Sequence, residues 1–120
     1  MSRMEKINSQ VQREIGTIFQ QDLNDPAFRL VTITHVNVSR DLRSAKVYFS
    51  VLGSAQSLKL IAGKIDRVRG FVRKLVGQRM TIRNTPELFF VYDDSILTGA
   101  RIEKTLEELK DESEDNSQEY

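Results

Sequence analysis

Apolar positions along the first part of the chain recur in steps of three and four. Met4, Ile7, Val11, Ile15, Ile18 and Leu23 form one stripe of an amphipathic helix. The stripe stops at Asn24-Asp25-Pro26, where proline disfavours helix in the residue before it. The period then changes. Leu30–Val38 is rich in β-branched residues and reads as a strand. Ser39-Arg40-Asp41 reads as a turn. Beyond it Ala45, Val47, Phe49 and Val51 alternate with Lys46, Tyr48 and Ser50, the signature of a half-buried strand that closes an antiparallel hairpin.

Gly53-Ser54 ends the hairpin and supplies a helix cap. Leu58, Ile61, Ile65, Val68, Val72 and Leu75 restore the helical period. Gly70 interrupts it, at a cost of about 1 kcal/mol relative to alanine. A kink or a break between two helices is therefore expected near Arg69-Gly70, with Gly77 as the C-terminal cap of the second piece. Met80–Arg83 reads as a short extended piece. Pro86 precedes Leu88–Tyr92, the most apolar run, which reads as a central strand. Asp93, Asp94 and Ser95 offer cap oxygens for a last helix carrying Ile96, Ile102, Leu106 and Leu109. The order helix, strand, strand, helix–Gly–helix, strand, helix predicts an α+β layer fold, a three-stranded sheet with helices on one face.

The 120 residues suit one domain, expected over residues 1–109. The acidic stretch 110–120 has little apolar surface to bury and is expected to be disordered. No cysteine is present, which removes disulfides and thiolate metal sites and suits a reducing compartment. No run approaches the roughly 20 apolar residues of a membrane span. These features predict a soluble cytoplasmic protein.

Charge changes the picture most. The chain carries only +1, yet residues 59–83 hold eight basic residues and one acid, a local charge of +7, while residues 103–120 carry −6. The basic residues are Lys59, Lys64, Arg67, Arg69, Arg73, Lys74, Arg79 and Arg83. They lack acidic partners at i+4, unlike a salt-bridged solvated face, and they flank the expected helix break. A broken helix exposes unpaired backbone amides, which attract anions. The run therefore reads as a surface for backbone phosphates. Arg40, Arg43, Lys46 and Tyr48 on the hairpin add a weaker signal, with Tyr48 as a candidate stacking partner for a base.

An enzyme fits poorly. His35 is the only histidine and sits in a strand, where a structural or surface role is expected. Asp93 and Asp94 suit helix capping better than a metal-dependent nuclease dyad. No phosphate loop or nucleophile elbow is present. No cofactor or metal is expected.

Pro86-Glu87-Leu88-Phe89-Phe90-Val91-Tyr92-Asp93-Asp94-Ser95, followed by Gly99-Ala100-Arg101-Ile102, resembles the C-terminal signature of the bacterial ribosome-binding factor A family. Asp25-Pro26, Val36–Leu42, Ala45-Lys46-Val47-Tyr48 and Gly70-Phe71-Val72-Arg73 match in order, so the resemblance covers roughly residues 3–109. It implies a type II KH-like fold with a helix–kink–helix marked by Ala-x-Gly. The matching triplet is Val68-Arg69-Gly70, which keeps glycine and replaces alanine with valine. The resemblance further implies a monomeric, non-enzymatic assembly factor that binds the free small ribosomal subunit through 16S rRNA. Such a factor assists maturation of the rRNA 5′ end and matters for growth in the cold. The expected RNA contacts are Lys64, Arg67, Arg69, Gly70, Arg73, Lys74, Arg79 and Arg83. The alternative is a protein-binding adaptor whose basic face docks an acidic partner.

Overall fold

Ser2 starts the first helix: its hydroxyl accepts a hydrogen bond from the Glu5 backbone N–H at 3.1 Å, satisfying one of the free amides of the first turn. In the computed structural model, which describes residues 2–93 and 103–109, this helix α1 spans Arg3–Thr17. It continues as a π-helical turn over Ile18–Asp22, closed by the Leu23 N–H on the Ile18 carbonyl at 3.2 Å. The wider turn buries two consecutive residues, Ile18 and Phe19. Phe19, four residues after Ile15, lies on the same buried stripe, and its ring meets Phe28 and Phe90 edge-on at 5.4 and 5.8 Å.

The Asp25-Pro26 stop has a clear local cause. The Asp25 carboxylate accepts from the Ala27 N–H at 2.9 Å, and proline begins a 3-10 turn over Pro26–Leu30. Arg29 from that turn donates to the Phe19 and Leu23 carbonyls at 2.7 and 2.6 Å. It satisfies acceptors that the end of α1 leaves free.

Strands β1 (Val31–Val38) and β2 (Ser44–Val51) pair antiparallel, with an irregularity between Ile33 and His35. In their turn the Asp41 carboxylate accepts from the Ser39 hydroxyl at 2.6 Å and the Arg43 N–H at 3.1 Å. Leu42 there adopts a left-handed φ of 60°. Gly53, at φ +133°, leads into the Ser54 cap, whose hydroxyl accepts from the Ser57 N–H at 3.2 Å. Helix α2 (Ala55–Arg79) then carries the chain to β3 (Glu87–Asp93), parallel to β2.

The sheet departs from the expected three strands. Glu103–Thr105 forms β4, antiparallel to β3, and the order is β1-β2-β3-β4. Residues 106–109 after it are helical. A single last helix running from Asp94 is therefore not what forms, although Asp94, Ser95, Ile96 and Ile102 lie outside the described residues, as does the acidic stretch 110–120. Met80–Arg83 lies in the linker to β3, outside the sheet. Asp93 is not a helix cap: it ends β3 with 1% exposure and accepts from the Thr34 hydroxyl at 3.0 Å.

One face of the sheet carries the core. Val36, Ala45, Val47, Phe49, Leu88 and Phe90 meet Val11 and Ile15 of α1 and Ile61, Ile65, Val72 and Val76 of α2 in one cluster. Each of the valine, isoleucine, leucine and phenylalanine side chains contributes roughly 1.5–3 kcal/mol when fully buried. On the opposite face Tyr48 is not the exposed stacking residue of the sequence reading. It is 5% exposed, its hydroxyl donates to the Glu103 carboxylate at 3.0 Å, and its ring lies 5.7 Å from that of His35. The added strand β4 supplies that acceptor, which alternation in β2 alone cannot foresee.

Candidate nucleic-acid interface

Helix α2 is unbroken from Ala55 to Arg79. Buried Ile61, Ile65, Val72 and Val76 lie on both sides of Gly70, and this packing outweighs the propensity cost of one glycine. The expected break, with a second set of free amides, is absent. Gly77 is likewise no cap but an interior helix residue. Within the kink triplet Val68 is half-buried against the core, while Gly70 is exposed and a Cβ added to it would meet no atom within 4 Å. Valine therefore points down and glycine outward, so the two do not compete for the same space.

The predicted contact residues separate into three groups. Gly70, Arg73 and Lys74 fall on one face of α2, because spacings of three and four stack on a helix. They line a cavity of about 730 Å³ with Arg83, Asn84 and Thr85 of the α2–β3 linker and with Arg43 of the hairpin. Arg73 holds the linker in place: its guanidinium donates to the Pro86 and Thr85 carbonyls at 3.2 and 3.0 Å. Arg43 is brought in by the sheet, since the Glu87 N–H donates to the Arg43 carbonyl at 2.9 Å. Among the described residues Arg43, Lys74 and Arg83 form no ion pair. Asp41 lies near enough to Arg43 for the two charges to interact, yet no acid lines the concavity, and cations gathered there in excess focus a positive potential and attract a polyanion.

The second group is already paired. Arg79 grips Asp22 with two hydrogen bonds of 2.7 and 2.9 Å, and Lys64 donates to Asp25. The Arg79 hydrogen bond holds the Asp22 carboxyl below its ordinary 3.8, and the Lys64 hydrogen bond does the same for Asp25. The Arg79 guanidinium is pushed up in turn. These pairs fasten α2 to the end of α1. In the third group, Arg69 stands 3.9 Å from Asp66 on the side of α2 nearest β4. Exposed Arg67 donates to the Gly63 carbonyl at 3.3 Å.

Asn84 and Thr85 carry no charge or periodic signal in the sequence, and Arg43 carries only a weak one. The missing information was tertiary. Once β2 and β3 are known to be parallel neighbours, with Ser44 opposite Glu87, residue 43 must lie beside the linker that enters β3.

An antiparallel hairpin followed by a βαβ unit, with a cationic cleft along the crossover helix, defines an α+β domain of the KH-like class. The sequence profile described as Ribosome-binding factor A matches residues 3–106. A ribosome-binding factor A from Thioalkalivibrio sulfidiphilus is 41% identical over 117 residues, 98% of this chain and 89% of its own. The crystal structure of ribosome-binding factor A from Thermus thermophilus superposes with a TM-score of 0.65 at 21% identity, over 74% of this chain and 94% of that one. A Thermus thermophilus homology model of the same factor, fitted into a cryo-EM map of a 30S–RbfA complex, gives a TM-score of 0.57 at 23% identity, over 68% of this chain and 86% of that one. This chain belongs to the ribosome-binding factor A family. Among its described residues no helix is long and apolar enough to cross a membrane.

Proposed function

We propose that this protein binds the free small ribosomal subunit as a monomer, through phosphates of 16S rRNA seated in the α2 cleft. It acts late in subunit assembly and assists maturation of the rRNA 5′ end without catalysing a reaction itself. One observation carries this reading: Arg43, Lys74 and Arg83 converge on one concavity that no acidic side chain lines, and among the described residues they form no ion pair. Unneutralised cations that line a cleft are what a nucleic-acid backbone requires. Family membership supports the ribosome as the source of that backbone. Residues 1–109 form the binding domain, and the acidic stretch 110–120 lies outside it.

Gradient sedimentation tests the reading. The protein co-migrates with free small subunits at low salt, leaves them as salt rises, and is absent from the joined ribosome. Co-migration with neither particle at low salt would contradict the proposal. A complex indifferent to salt would favour docking on a protein surface instead.

A further inference from the structure

Helix α2 carries a second cleft, one face around from the first. Phe71 stands over it with 49% of its surface exposed. Leu23, Phe28 and Val68 wall a cavity of about 390 Å³ beneath that ring, and Asn24 sits at its rim. This volume lies within the range of pockets that accept small organic ligands. The two acids at the rim, Asp22 and Asp25, are engaged by Arg79 and Lys64, which offsets their repulsion of an anion. Arg67 and Lys74 lie one turn before and one turn after Phe71, about 10 Å apart along the helix axis. Both are exposed, and among the described residues neither forms an ion pair.

An aromatic face between two cations is the arrangement that holds single-stranded nucleic acid: the ring stacks on a base while the cations meet the phosphates on either side. We propose that this cleft seats one unpaired nucleobase of the RNA, stacked on Phe71, with Arg67, which lines it, on one flanking phosphate and Lys74, which lines the first cleft and borders both, on the other. The Asn24 amide, which both donates and accepts, meets the edge of the base. This site rests on the rRNA reading above and adds to it a preference for a single-stranded segment beside the phosphate cleft. Gly70 adjoins Phe71 on the crest between the two clefts, where its missing side chain lets the strand pass close to the helix.

The chain has no tryptophan, so F71W places a single fluorophore at the site. F71W is titrated with a short single-stranded RNA and with the same RNA annealed to its complement, while anisotropy of labelled RNA reports occupancy independently. The expected result is tryptophan quenching by the single strand and little quenching by the duplex at equal occupancy. F71L keeps the apolar contact without the aromatic face. It is expected to bind the single strand about 5- to 150-fold more weakly, the range that stacking one base supports, with an unchanged circular dichroism spectrum. RNA bound by anisotropy without quenching, together with F71L binding like the wild type, would overturn the stacking site while leaving the phosphate cleft intact. Failure of the wild type to bind either RNA would overturn both.

Discussion

Gly77 and Thr85 meet across the seam between α2 and the linker into β3. A Cβ at position 77 would lie 2.6 Å from the Thr85 Oγ1 and 3.4 Å from its Cγ2. Neither atom can swing away freely, because β-branched side chains are stiff at χ1. Glycine at 77 is therefore a condition for close packing of the linker that carries Arg83 and Asn84. Gly77→Ala is expected to lower stability by about 1 kcal/mol net, since overpacking costs about 1–3 kcal/mol and alanine returns up to ~1 kcal/mol of helix propensity. Adding Thr85→Ala should recover much of the loss. Urea denaturation of the two single variants and the double variant measures the coupling; strictly additive effects would remove the steric explanation.

Gly70 should behave in the opposite way. A Cβ there meets nothing, so Gly70→Ala is expected to raise stability by about 0.5–1 kcal/mol. The same methyl stands at the edge of the cationic cleft and holds a phosphate backbone off the helix. Binding to small subunits should weaken while the denaturation midpoint rises. A variant that binds normally would reduce Gly70 to a residue without a part in the interface.

The paired cations predict a division of labour. Arg79→Ala removes the two-pronged grip on Asp22 and is expected to lower thermal stability slightly, because the pair is solvent-exposed, with little change in RNA affinity. Lys74→Ala and Arg83→Ala should do the reverse. If Arg79→Ala weakened RNA binding as much as Lys74→Ala at unchanged stability, the grouping of the cations by their partners would be wrong.

Acid stability follows from the same pairs. Asp22 and Asp25 have folded-state values below their ordinary 3.8 because Arg79 and Lys64 hydrogen-bond their charged forms. The unfolded chain therefore takes up protons first as pH falls. The stabilisation is complete above about pH 5 and is lost as pH drops through 3.8 towards the lowered values. A D22N/D25N variant should show a flatter fall in denaturation midpoint between roughly pH 5 and pH 2. A fall parallel to that of the wild type would show that other carboxylates control acid unfolding.

Much of this was legible in the sequence because local chemistry and tertiary structure agree. The Leu88–Tyr92 run is a central strand, the hairpin pairs as its alternation predicts, and the basic stretch does lie along a helix. The departures each have a long-range cause. Gly70 does not break α2, because residues buried on both sides of it hold the helix. Tyr48 is covered because Glu103 of a short fourth strand reaches its hydroxyl; a three-residue strand of charged and polar residues gives no periodic signal. Charge alone groups Lys64 and Arg79 with Arg73 and Lys74, yet their partners Asp25 and Asp22 lie 39 and 57 residues away. Spacing along a helix assigns a side chain to a face, but what waits on that face belongs to the fold.

The phosphate cleft itself is tested most directly by the salt dependence of RNA binding. Each phosphate contact that releases counterions adds about 0.7 to the slope of log K against log salt for a single strand and about 0.9 for a duplex. Affinity of small subunits, or of an rRNA fragment, is measured across a salt series for the wild type and for R43A, K74A and R83A. Each variant is expected to lose about one contact's share of the slope, and the triple variant about three. Slopes that stay at the wild-type value in all three single variants would contradict the assignment of this cleft to the RNA backbone.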